Sequence, residues 1–410
     1  MNNIPIYLFT FIIAFCGSDR INILSSSFEF FNFTPFILFS SIFVITTIVF
    51  KVNSLNFSWL YYDKASLIFL NVFLICTLVS ILFSQDYLYS TKRILLLILI
   101  FLTFFLSISH FSSNKLNKIL THASVLGSLI FFIFNLSMVY LWINYLEYDN
   151  SFIDLIPNKI AYFIPRLGGY SLDVNRGGVV LMFYTFCLLF NNKTRLIKFV
   201  LFINIITLLF TFSRTVYLLI FFTLLYYLFY ELDRKTVYKI LKYLFVSIII
   251  AISILFYLDS IKLVELDYLL EERLNIDWEL SRHTSSGIHL RLIVEGMQTA
   301  FNSLKILIIG NGFGTSFLLI EGYYWSGTKY ANYHSMYITL LVECGVFAFL
   351  AAVFYTFIIP LFNKTKNLYM PIMFGLFFYN IFYQLILEPV FWLIILLYYY
   401  ENYKVKNNEA

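Results

Sequence analysis

Residues 94–110 read ILLLILIFLTFFLSISH, a run of aliphatic and aromatic side chains interrupted only by Thr103, Ser107 and Ser109 and closed by one histidine. A β-strand is rarely that long, and the run lacks the alternation of a half-buried strand. It has the length at which an α-helix crosses the hydrocarbon of a bilayer, about 20 residues with roughly 17–25 typical. Eleven further segments fit or nearly fit: 4–17, 33–50, 65–83, 119–143, 177–190, 196–212, 215–230, 240–258, 335–360, 369–386 and 389–400. Segments 4–17, 177–190 and 389–400 are short for a span. No Lys or Arg precedes residue 4, so 4–17 reads as a retained span and not as a signal peptide.

Composition points the same way. Of 410 residues, 60% are hydrophobic and 12% charged, with mean hydropathy +0.82. Soluble domains carry roughly 25% charged residues; at half that level a chain this long cannot cover itself with a water-facing surface. Phe (49) and Tyr (32) are abundant, suiting lipid-facing and interfacial positions. The net charge of +5 is small, and no basic block forms a nucleic-acid footprint. Cys16, Cys76, Cys187 and Cys344 each sit in or beside an apolar run, which predicts buried thiols without a disulfide framework or zinc site.

Lys and Arg in the short loops set the expected orientation. With a cytoplasmic N-terminus, the inner segments hold Lys51, Lys64, Lys115, Lys118, Lys193, Arg195, Lys198, Arg234, Lys235, Lys239, Lys242, Lys364, Lys366, Lys404 and Lys406. The inner acids are then Asp63, Glu231, Asp233, Glu401 and Glu409, while the short outer turns hold Arg20, Lys92, Arg93 and Arg214. Both termini are expected inside. The reading is an all-α polytopic membrane protein of about twelve transmembrane helices. It has one membrane domain, 1–410, and two long outer loops, 144–176 and 259–334. The second loop carries a periodic segment near 287–305. Leu290, Val294, Met297, Phe301 and Leu304 make one apolar stripe, and Arg291, Glu295, Gln298, Asn302 and Lys305 a polar stripe one position later. Such a helix lies on a membrane surface or on the helix bundle, its polar stripe toward an outer aqueous cavity.

Five polar constellations stand out, each with a plain reading and a chemical one. Arg166 and Arg176, with Asn175 between them in a Gly-rich turn, are either headgroup anchors or a phosphate-holding set. Arg214, between Ser213 and Thr215 with almost no loop, is either a snorkelling cation or one held for an anion. Arg291 and Glu295 are either an i,i+4 pair or part of a site. Gly310-Asn311-Gly312-Phe313-Gly314 has the glycine spacing of a dinucleotide turn but no βαβ unit around it. A tight turn presenting amides to an anion fits better. Asn332-Tyr333-His334-Ser335 enters the tenth span with Glu343 about two turns deeper. His334 is either an interfacial cap or a neutral general base, and Glu343 a buried structural acid. His283 and His289 match no metal spacing. No Walker lysine motif, nucleophile elbow, HExxH or DxD occurs, which removes support for ATP-driven chemistry and zinc proteolysis.

The order of these motifs resembles the O-antigen polymerase and O-antigen ligase superfamily of bacterial membrane glycosyltransferases. The resemblance runs over about 160–360. It is carried by Arg166-Leu167-Gly168-Gly169 with Asp173 to Asn175, by Ser213-Arg214, by Arg291, and by Gly310-x-Gly312-x-Gly314. Tyr333-His334-Ser335-Met336-Tyr337 and Leu340-Leu341-Val342-Glu343-Cys344-Gly345 complete it. Ser335 stands where the family usually has Asn, and Val174 where relatives have Pro. The resemblance implies a GT-C-like helical bundle with a large periplasmic loop in the bacterial inner membrane. The implied substrate is a glycan on undecaprenyl pyrophosphate, with no cofactor, metal or nucleotide sugar. In this scheme Arg214 and Arg291 steady the departing diphosphate and His334 takes the acceptor proton. Arg166, Arg176, Asn175, Glu295 and Tyr333 bind substrate. Expected partners are the lipid-linked glycan, the bilayer and a polysaccharide chain-length regulator. Polymerase is favoured over ligase. A transporter or flippase is disfavoured because the polar residues crowd the outer loops and no repeat is visible. A structural or sensory role predicts that Arg214→Ala and His334→Ala change nothing.

Overall fold

The computed structural model describes residues 4–24, 33–51, 55–61, 63–146, 148, 152–156, 159–160, 164–190, 194–228, 234–260, 285–320, 331–363 and 367–407. His283, Lys193, Lys364, Lys366, Glu231, Asp233 and Glu409 lie outside the described residues, as does much of the second outer loop.

Each of the twelve expected spans is a helix. In chain order the helices are α1 (Ile4–Ala14), α2 (Pro35–Lys51), the single turn α3 (Ser58–Tyr61), α4 (Lys64–Ile81), α5 (Tyr87–His110) and α6 (Ser113–Ile143). Then come α7 (Val174–Phe190), α8 (Arg195–Leu209), α9 (Arg214–Tyr226), α10 (Arg234–Ser260), α11 (Ser285–Asn302) and α12 (Leu304–Ile309). The last are α13 (Met336–Val353, continuing through a π turn to Phe362), α14 (Met370–Phe382) and α15 (Pro389–Lys406). Among the described residues, five stretches are long and apolar enough to cross a membrane: α4, α5, α6, Leu241–Ser260 of α10, and Met336–Phe362. Five shorter apolar helices, α1, α2, α7, α9 and α14, accompany them. The protein is a polytopic helical membrane protein. Its described β structure is one two-residue ladder, β1 (Lys159–Ile160) against β2 (Ile164–Pro165), and the bridge Ile21–Ile153.

Polar caps start these apolar helices. The first turn of a helix leaves N–H groups unpaired, which is costly beside lipid. Asp63, Thr194, Ser213, Ser303 and Ser335 each accept from an amide two or three residues on, opening α4, α8, α9, α12 and α13.

Two compact units divide the chain: 1–55, 102–275 and 388–390 in the first, and 56–101, 276–387 and 391–410 in the second. In the first, α7 is buried along nearly its whole length and packs against α6, α8 and α9. Close approach is bought with glycine. A Cβ on Gly178 would lie 2.3 Å from Val216 Cγ2, and one on Gly127 2.6 Å from the Tyr184 ring. The Tyr184 and Tyr170 hydroxyls, 2.8 Å apart, donate to the carbonyls of Ile13 and Ala14 and so satisfy the end of α1.

In the second unit α11 has three faces, where its period showed two. Leu292, Gly296 and Ala300 form a buried seam against Tyr333, Leu341 and Val342. Met297, Phe301 and Leu304 of the apolar stripe are exposed, as suits a helix against lipid. Tyr333, expected to bind substrate, has no exposed surface and fills this seam. The Cβ site of Gly296 is 2.4 Å from Ile338 Cγ2 and 2.8 Å from the Tyr333 ring. Gly296→Val is expected to lower stability by about 1–3 kcal/mol through overpacking. Gly296→Ala should cost less, since alanine's helix propensity returns about 1 kcal/mol. Thermal unfolding in detergent reads the difference, and equal midpoints for Gly, Ala and Val would refute the seam.

Candidate functional site

The first unit gathers its polar residues where α7 and α9 begin. The outer loop was expected to end at 176, but α7 starts at Val174. Asp173 takes the Asn175 amide on its side chain (2.7 Å) and the Gly177 amide on its carbonyl (2.9 Å). That local cap pulls Asn175 and Arg176 into the first helical turn, which hydropathy cannot see. Gly177 is required there, because a Cβ would meet the Gly168 carbonyl at 2.3 Å.

Four residues, 210–213, join α8 to α9. Phe212 takes a left-handed φ of 48°, and Ser213 then caps α9 through the Val216 amide (3.2 Å). Asn175 Oδ1 accepts from Ser213 Oγ (2.6 Å), Thr215 Oγ1 (3.4 Å) and Arg166 Nη2 (3.5 Å). Arg166 Nε donates to the Thr211 carbonyl (3.0 Å), and the Leu167 amide to that of Phe210 (3.1 Å). The motifs at 166–175 and 213–215 therefore form one polar constellation. Arg214 is the first residue of α9, partly buried with its Nε enclosed. A helix N-terminus adds partial positive charge beside its guanidinium.

Arg176 sits differently. Its Nη2 is 2.7 Å from Asp19 Oδ2, and its Nη1 3.0 Å from Glu388 Oε1. Burial raises the Glu388 carboxyl above its ordinary value, while the Arg176 charge opposes that rise. Two carboxylates thus balance one guanidinium, an arrangement suited to bracing. Neither acid carried a sequence signal, since the contacts join distant parts of the chain. Arg20 is a second brace. It is 3% exposed, donates to the carbonyls of Ser171 and Ile156 (2.9 and 2.8 Å), and pairs with Asp154 at 3.2 Å. Arg176→Ala should cost about 2–3 kcal/mol, discounted from the roughly 3–5 kcal/mol of a fully buried pair because these side chains are partly exposed. Without the guanidinium, the folded-state Glu388 value rises further, so the variant's deficit is largest at alkaline pH and shrinks as acid protonates Glu388. Melting temperatures across pH check the sign, and Glu388→Gln in the same background should recover part of the loss.

The second unit holds the other candidates. His334 precedes the Ser335 cap of α13 and adopts φ 49°, a conformation that a non-glycine residue takes only under local constraint. Its amide donates to Asn332 Oδ1 (2.8 Å), a short turn that helps to fix it. Burial, and then the neighbouring His289, push the His334 imidazole well below its ordinary value, so it is neutral at neutral pH. The His289 ring, from α11, lies 4.0 Å centroid to centroid at 60°, and the Tyr383 ring 6.2 Å away. Arg291 and Glu295 follow one turn apart on the polar stripe of α11. His289, set aside in the sequence for want of a metal spacing, lies on α11 two residues before Arg291.

The glycine turn and Glu343 are one feature. Gly314 and Ser316 amides donate to the Glu343 carboxylate at 2.8 and 3.1 Å. Asn311 and Gly312 amides donate to the carbonyls of Val342 and Glu343 at 2.9 and 3.0 Å. The anion that meets this turn is the chain's own.

Helices of membrane length with polar constellations at the starts of α9 and α13 define a multi-pass membrane protein. Residues 199–353 match the family model described as O-antigen ligase. The match covers somewhat more than a third of the chain and agrees with the resemblance drawn from the motifs. The matched stretch contains Arg214, Arg291, Glu295, Tyr333 and His334, and stops short of Arg166, Asn175 and Arg176. No curated protein matches the sequence.

Proposed function

We propose that this protein is a polymerase that joins oligosaccharide repeat units carried on undecaprenyl pyrophosphate, at the outer face of the bacterial cytoplasmic membrane. The observation that carries the reading is the constellation of Arg166, Asn175, Ser213 and Arg214 at the start of α9. Guanidinium groups beside a helix N-terminus suit a diphosphate. In the transfer, the sugar–O–pyrophosphate bond breaks and its electron pair stays on the diphosphate. A hydroxyl of the acceptor sugar forms the new C–O bond and gives its proton to His334. Arg214 and Arg291 stabilise the leaving charge, and a neutral His334 is in the state that accepts a proton. Arg166 and Asn175 position the donor, Glu295 engages the glycan, and Arg176 braces the loop that carries Asn175. The energy lies in the donor linkage, so the proposal uses neither metal nor nucleotide. Both termini face the cytoplasm in this reading, and a chain-length regulator is the expected protein partner.

A second reading, prompted by the family model's description as O-antigen ligase, is a ligase that hands the finished glycan to lipid A core. A deletion strain separates them by gel electrophoresis of its lipopolysaccharide. Loss of a polymerase leaves single-repeat molecules, loss of a ligase leaves bare core, and an unchanged ladder refutes both.

A further inference from the structure

We propose that His289 and His334 act as one coupled imidazole pair that takes up its two protons in separated steps, with His289 the positioning residue and His334 the proton acceptor. The inference rests on the glycan-transfer reading for its purpose, but its geometry stands alone. Ring centroids 4.0 Å apart at 60° place two titratable side chains in contact within one unit. Two positive charges at that separation in a partly buried place repel strongly, so protons enter such a pair one at a time. The backbone holds the contact from both sides. His334 is fixed at φ 49° between its Asn332 turn and the Ser335 cap. His289 is fixed by the α11 seam, where Gly296 lets the helix approach Tyr333 and Ile338.

Among the described residues, the titratable groups on the elements packed here are His289, Arg291 and Glu295 on α11, Tyr333 beside His334, Tyr337, Glu343 and Cys344 on α13, and Tyr379 and Tyr383 on and after α14. His289 is the charge that lowers the His334 value further, after burial has done most of that work. The consequence is chemical. A lone interfacial histidine is half-protonated near pH 6.5, and a protonated imidazole cannot accept the hydroxyl proton of a sugar. A neighbouring imidazole that competes for the same proton keeps His334 able to accept over a wider acid range. Once His334 has taken the hydroxyl proton, the pair carries one positive charge and returns the proton to water.

The experiment uses the full-length protein in nanodiscs with isotope-labelled histidine. Its five histidines are assigned by single substitutions, and the imidazole shifts are followed against pH. His289→Asn removes the competing charge and should raise the His334 midpoint by about one pH unit; His289→Arg makes that charge permanent and should lower it. The acid limb of transfer activity should move in the same directions. A packing role for His289 would lower the rate without moving the midpoint in opposite directions. A His334 midpoint unchanged in both variants overturns the pair, whatever the activity. Opposite midpoint shifts in a protein without transfer activity would uphold the pair and sink the transferase reading instead.

Discussion

Glycine at position 334 should leave the protein folded and in the membrane, and reduce glycan transfer by about two to four orders of magnitude, the usual worth of a general base. Glycine is the decisive substitution because it separates backbone from chemistry. His334 stands at φ 49°, immediately before a helix cap. Alanine there would keep the backbone cost, about 1–2 kcal/mol for an L-residue, and lose the ring, so a weak variant could be blamed on folding. Glycine adopts the conformation freely, and its melting temperature should equal or exceed that of the natural protein. His334→Asn is the companion, since Asn also tolerates this region but is no base at neutral pH. Arg214→Ala and Arg291→Ala test the other half of the proposal, with expected losses of about 100- to 1000-fold in turnover, as for removal of a charge-stabilising donor. Full-length polymer at normal abundance of the His334→Gly protein would defeat the role given to the imidazole.

The helices were legible because hydropathy reports the stretch that must avoid water. Their ends were less so. The run at 94–110 begins as a helix at Tyr87, and the segment at 240–258 begins at Arg234. In both cases polar turns extend the helix beyond its apolar part. The constellation at α9 was half legible. The motifs were visible separately, but the hydrogen bonds that make Asn175 their common acceptor depend on packing of α7 against α9. The acids around Arg176 were invisible because Asp19 and Glu388 come from opposite ends of the chain. The small-residue seam of α11 hid behind a stronger apolar stripe, because glycine and alanine score weakly on any hydrophobic scale. His289 lay on that weaker side, and a search for metal spacings passes over an imidazole whose neighbour is another imidazole.

Replacing Gly345 with alanine should sharply reduce accumulation of the folded protein. α13 is not continuous: Gly345 has φ 80° and ψ 176°, a region essentially reserved for glycine. At about 1.5 Å per residue, the break lies roughly 14 Å below the start of α13, near half the depth of a bilayer core for an upright helix. Irregular backbone at such depth persists only where protein satisfies its polar groups. Here the glycine turn does so. Asn311 and Gly312 amides cap the carbonyls of Val342 and Glu343, while the Glu343 carboxylate takes the amides of Gly314 and Ser316. The two segments touch backbone to backbone. A Cβ on Gly345 would be 2.2 Å from the Ile308 carbonyl oxygen, and one on Gly310 2.1 Å from that of Glu343. Neither obstacle is a side chain that can turn aside. Alanine at 345 therefore combines a dihedral strained by about 1–3 kcal/mol with a backbone clash, a loss that approaches the lower end of the roughly 5–15 kcal/mol margin of a typical domain. Glu343→Ala is milder. It strands two buried amides at about 1–3 kcal/mol each, and should yield protein with a markedly lower melting temperature. Glu343→Gln keeps one acceptor oxygen but turns an NH2 toward a second N–H, so it should fall between alanine and the natural residue. Membrane abundance and thermal midpoints of fluorescent fusions would rank them, and a Gly345→Ala protein that accumulates and melts normally would show that α13 can run straight through this point.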